Sequence, residues 1–110
     1  MKQATLMEHS GEQLYRELWV SLGSLLRSYT AAHGLNGDRQ ATVELGEDRI
    51  LVRVGEKWLD LVRTGPEFRW KREDGRNWVR ELTDGGLIKS GERWEEMDMA
   101  AESWARELMQ

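Results

Sequence analysis

Apolar residues fall at helical spacing near both ends of this chain and alternate with polar ones through its middle. Leu14, Leu18, Leu22, Leu25 and Tyr29 form one stripe, widened by Tyr15, Trp19 and Leu26. Steps of three and four residues predict an amphipathic helix. Ser10 and Gln13 have capping-box spacing at its start. Gly34 stands where a helix-ending residue often takes positive φ, so the helix is placed at about 10–33. A stripe this broad implies burial against more than one neighbour, or one edge that meets another subunit.

From about 41 to 82 the chain reads as strands joined by tight turns. Gly55 and Glu56 suit a two-residue turn, and Asp74-Gly75 is among the strongest short hairpin signals. Two looser turns lie at Gly46 to Arg49 and at Thr64 to Glu67. These four turns predict a five-strand antiparallel meander. Val52 then opposes Leu59, Ile50 opposes Leu61, Leu61 lies beside Trp70, and Trp70 opposes Val79. Because a slip of one residue reverses a whole strand, agreement among the turns argues for the meander.

That register sorts the side chains onto two faces. Val43, Ile50, Val52, Leu59, Leu61, Phe68, Trp70 and Val79 share the first. Arg49, Arg53, Arg69, Lys71, Arg80, Trp58 and Trp78 share the second. On the second face Arg49, Arg69 and Arg80 form a row interrupted only by Val62. No carboxylate falls in that row, and like charges opposite one another destabilise a sheet. Arginine's planar fork suits phosphate or carboxylate, so this trio is a candidate anion site. Trp58, Trp78, Leu51 and Val62 are candidate partner-binding residues, because an exposed apolar patch of a few hundred Å² usually marks an interface.

Gly85-Gly86 breaks the strand pattern, and Leu87-Ile88 adds a short edge strand or tucks under the sheet. Trp94, Met97, Ala101, Trp104 and Leu108 then predict a second helix at about 91–108, capped by Ser90. The fold class expected is therefore two-layer α+β: helix, five-strand antiparallel meander, helix, with both helices on one face. At 110 residues the chain is expected to form a single domain around one core.

Composition narrows the chemistry. There is no cysteine, hence no disulfide framework or thiolate metal site. Met1 to Ser10 lacks the apolar run of a secretory signal, and no stretch approaches the roughly 18 apolar residues of a membrane span. A cytoplasmic setting with no membrane partner is expected. The net charge of −4 hides an asymmetry: residues 49–80 hold nine Lys/Arg against five Asp/Glu, leaving seven against fifteen elsewhere. Acidic ends would repel phosphate at long range. Nucleic acid is therefore the alternative partner, through the basic face of the sheet, and protein the first expectation.

No catalytic constellation is present. His9 and His33 lie at opposite ends of the first helix, about 35 Å apart at 1.5 Å per residue, too far to share a metal. No serine occupies a Gly-x-Ser-x-Gly turn. Glu95, Asp98 and Glu102 fit a solvated helix face better than a cation site, because hard cations want convergent loop oxygens. Neither cofactor nor metal is expected. In arrangement alone, helix, antiparallel meander and helix resembles frataxin-like domains. The acidic ridge that such proteins use for iron does not map here, since the first helix carries only Glu12 and Glu17 beside Arg16 and Arg27, so no functional residue carries over. The expectation is a non-enzymatic protein-interaction domain, self-associating as a homodimer. A second alternative is a small-molecule pocket between helices and sheet.

Overall fold

A computed structural model describes residues 2–35, 37 and 39–110, with side chains from residue 11 onward. The order is α1 (Lys2–His33), β1 (Thr42–Leu45), β2 (Arg49–Val54), β3 (Lys57–Thr64), β4 (Glu67–Arg72), β5 (Asn77–Leu82), β6 (Leu87–Ser90), β7 (Arg93–Glu96) and α2 (Met97–Met109). Every strand pairs antiparallel with its sequence neighbour, giving one sheet in the order β1 to β7. The helix–sheet–helix architecture is as expected, with seven strands where five were predicted. No helix is long and apolar enough to cross a membrane among the described residues.

The first four strands follow the predicted register. Val43 pairs with Val52, Ile50 with Leu61, Val52 with Leu59, and Leu61 with Trp70. Their inward side chains form one core with Trp19, Leu22 and Leu26 of α1 and with Met97, Ala101, Trp104 and Leu108 of α2. The breadth of the α1 stripe is spent within the chain, on the sheet and on α2. Tyr29 donates to Asp98 at 2.6 Å, and His33 lies 2.7 Å from Glu102. These contacts take up two of the carboxylates considered for a cation, and Glu95 lies apart on β7. No cluster with metal-ligand character occurs among the described residues.

Two boundaries, and the reason for a third, differ from expectation. The α1 helix runs through Ser10 to Lys2, because residues 2–10 contain no proline or glycine to stop it. Gly34 does end the helix, donating to the carbonyls of Thr30 and Ala31, but without a positive φ. Space explains the glycine instead, since a Cβ there would lie 3.1 Å from the Arg39 carbonyl and 3.2 Å from Met109. Finally, α2 begins at Met97. Gly91, at φ 64°, turns a β6–β7 hairpin instead. Ser90 therefore ends a strand and caps nothing, and Trp94 lies on β7, exposed.

The consequential difference is the turn at 73–75. A two-residue type I′ turn would require positive φ at both Asp74 and Gly75. Only Gly75 takes it, at φ 93°. Arg72 and Arg76 close the loop instead, with the Arg72 amide donating to the Arg76 carbonyl at 3.0 Å. The Asp74 carboxylate accepts from the Arg76 amide at 3.0 Å. The loop is thus one residue longer than predicted, and β5 shifts by one. Trp70 opposes Trp78, Phe68 opposes Arg80, and Arg69 opposes Val79. Trp78, Arg80 and Leu82 consequently face the helices, while Val79 faces out and is 53% exposed. This register buries Leu82 beside Ile88.

Candidate functional site

On the outer face the expected arginine trio does not form. Arg49 and Arg69 flank Val62, but the fourth member of the row is Val79, not Arg80. Arg49 is also paired: its Nε and Nη2 reach the Asp60 carboxylate at 2.9 and 3.1 Å. The Asp60 hydrogen bonds raise the Arg49 pKa, fixing its charge. Asp60 arrives diagonally from the neighbouring row, where it opposes Lys71. Arg69 reaches the Asn77 amide oxygen at 3.5 Å.

The apolar candidates also divide. Leu51 is on the outer face but only 5% exposed, so little of it remains to offer a partner. Trp58 is half-buried, its amide donating to Glu73 at 3.1 Å. Val62 and Val79 are both exposed, with Arg69 between them in the row. These two valines border a shallow hollow of about 330 Å³ with Asp60, Glu67, Arg69 and Lys71. Its two carboxylates match its two cations, so the hollow has no marked charge preference.

Trp78 and Arg80 lie on the opposite face from the one predicted. The Arg80 guanidinium carbon is 5.4 Å from the Trp70 ring centroid, 5.8 Å from that of Trp104 and 5.9 Å from that of Trp78. Trp70 in turn lies 6.2 Å from Trp104 and 6.4 Å from Trp78. Trp70 and Trp104 belong to the core, whereas Trp78 is 49% exposed. The cradle thus has two fixed walls and one that meets solvent.

Among the described residues Arg80 has no counter-ion at hydrogen-bond range. Its Nε and Nη1 are buried without an acceptor among the described residues. Burial lowers its pKa, opposed by the charge of Glu95. An interior N–H without an acceptor costs about 1–3 kcal/mol. Each indole returns about 0.5–2 kcal/mol through cation–π attraction. The rings therefore offset the burial without leaving a clear surplus.

Two other arginines share this inner face, and sequence reasoning assigned them to neither side. Their period-two spacing after Leu61 and Trp70 was the available signal. Arg63 donates to the Gly65 carbonyl at 2.9 Å and to Glu12 and Asp48 at 3.0 Å. Arg72 donates to the Trp58 carbonyl at 3.1 Å, and to Glu73 and Glu107 at 3.0 Å. Arg76 also binds Glu107. The Arg63 hydrogen bond holds the Glu12 pKa down, and the Arg76 and Arg72 hydrogen bonds do the same for Glu107. At Glu73 burial pushes upward, but the donors of Arg72 and Trp58 outweigh it.

The two sheet edges differ as well. On β1, the Val43 carbonyl accepts from Arg27 of α1 at 3.3 Å, and Leu45 packs close over Gly23. All four residues of β7 are exposed. Trp94 projects from it on the outer face beneath the Lys89 ammonium, which lies 5.4 Å from the ring centroid. Comparison of the chain with protein families, curated proteins and solved structures finds no match. The arrangement shared with frataxin-like domains gains no support from them.

Proposed function

We propose that this chain is a non-enzymatic protein-interaction domain whose partner is a second copy of itself, joined through the β7 edge. The open edge is the observation that carries this reading. An uncovered strand presents a row of free backbone donors and acceptors, which ordinarily invites another strand. Antiparallel pairing of two β7 strands about Trp94 sets Trp94 against Trp94 on the outer face. The same pairing sets Arg93 of each copy opposite Glu95 of the other on the inner face. The strand is therefore self-complementary in both shape class and charge, as a two-fold interface requires. Glu92 and Glu96 fall opposite each other at the ends, where solvent screens them.

Sedimentation equilibrium tests this proposal. The chain should dimerise with a Kd of about 10 μM, because four-residue strands bury little area. Arg93→Glu places like charges opposite Glu95 and should weaken the dimer about tenfold or more. Combining it with Glu95→Arg restores the complementarity and should restore the dimer. Self-association unchanged by Arg93→Glu, or a wild-type chain monomeric at about 1 mM, overturns the reading.

A further inference from the structure

Three of the five buried side-chain donors without an acceptor, among the described residues, belong to one cluster: Arg80 Nε, Arg80 Nη1 and Trp70 Nε1. The fold supplies carboxylates to Arg63 and Arg72 from its own chain. Among the described residues it supplies none to Arg80 at that range. We infer that the Arg80 cradle binds a monoanionic carboxylate carried on a flat, unsaturated body, such as an aromatic acid.

Four features select that chemistry. The surplus is of donors alone, so the missing group is an acceptor. A guanidinium fork matches the two oxygens of a carboxylate. Arg76 also lies over Trp70, at 5.5 Å, but is paired with Asp74 and Glu107. One unpaired cation is thus left to balance one negative charge, and the nearby Glu95 field works against a dianion such as phosphate. The walls are indoles, which favour a planar apolar body by stacking.

Access follows from the unequal burial of those walls. Trp70 and Trp104 are only 2% and 6% exposed, against 49% for Trp78. Trp78 is therefore the ring that can turn aside without opening the core. Binding requires that its displacement open a path to the guanidinium, 5.9 Å from its centroid, with the indole then lying against the incoming ring. The guanidinium and its three walls come from β4, β5 and α2, and β7 contributes only the Glu95 charge.

The full chain is titrated with benzoate, benzamide and inorganic phosphate, followed by tryptophan fluorescence and by the Arg80 Nε–H signal in NMR. Benzoate should bind saturably with a Kd of about 1 mM. The neutral amide should bind about tenfold more weakly, because it lacks the charge-assisted hydrogen bonds. Arg80→Met should abolish the benzoate response, with an unchanged circular dichroism spectrum showing that it folds. Should that variant not fold, a benzoate-induced shift of Arg80 Nε–H in the native chain supports the site, and its absence overturns it. An undiminished response in folded Arg80→Met, equal binding of benzamide or phosphate, or no saturation by about 50 mM benzoate also overturns it.

Discussion

Arg72 and Arg80 project from adjacent strands onto the same face of one sheet, yet they live in opposite environments. Arg72 is almost wholly buried and meets a carbonyl and two carboxylates. Arg80 is partly buried and meets three indoles, with two nitrogens unsatisfied. The first ties β4 to the end of α2 and is a fastener. The second holds nothing together by hydrogen bonds. The contrast teaches that burial of a cation does not itself reveal its purpose; the supply of acceptors does.

The largest effect expected of this contrast is on stability. Arg72→Met removes the buried guanidinium that joins the Trp58 carbonyl, Glu73 and Glu107, leaving Glu73 with the Trp58 amide and Glu107 with Arg76. It should cost about 2 kcal/mol in urea unfolding. A loss under about 1 kcal/mol would erase the distinction from Arg80.

Acid provides the next. Glu12, Glu73 and Glu107 are each held below the ordinary carboxyl pKa in the fold. The unfolded chain therefore takes up protons first as pH falls. Their stabilisation is complete above about pH 5 and drains away as pH drops through 4 towards 3. Arg72→Met should lose about 1 kcal/mol of that pH dependence, allowing for screening at half-exposed Glu107. Arg80→Met should keep all of it, since Arg80 pairs with no carboxylate at hydrogen-bond range among the described residues. A flattened acid profile in the Arg80 variant would count against the assignment.

The smallest effect is the stability of Arg80→Met itself, expected within about 1 kcal/mol of the native chain, because lost cation–π attraction is offset by relief of the unpaired donors. A much larger loss would make Arg80 structural after all.

Much of this fold could be read from residue order. The periods of α1 and of β1 to β4, the turns between them and the inward set from Val43 to Trp70 follow from local patterning alone. What escaped were choices that local pattern leaves open. Asp74-Gly75 fits both a two-residue and a three-residue loop. Burial of Leu82 against Ile88, a tertiary contact, accompanies the longer one. Trp94 matches the helical stripe of Trp104 and Leu108 by spacing, yet Gly91 spends that segment on a hairpin. The Arg80 cradle could not be foreseen, because its three rings come from β4, β5 and α2.

The extra residue at 73–75 does more than reverse the chain, because it sets parity for everything after it. Were that loop shorter by a single residue, Trp78 and Arg80 would move to the outer surface and Val79 would pass beneath the helices. Two proteins of nearly identical composition can thus present unlike surfaces to their surroundings, separated by one deletion. Loop length, rather than any side chain, is where such a change in what a sheet displays would begin.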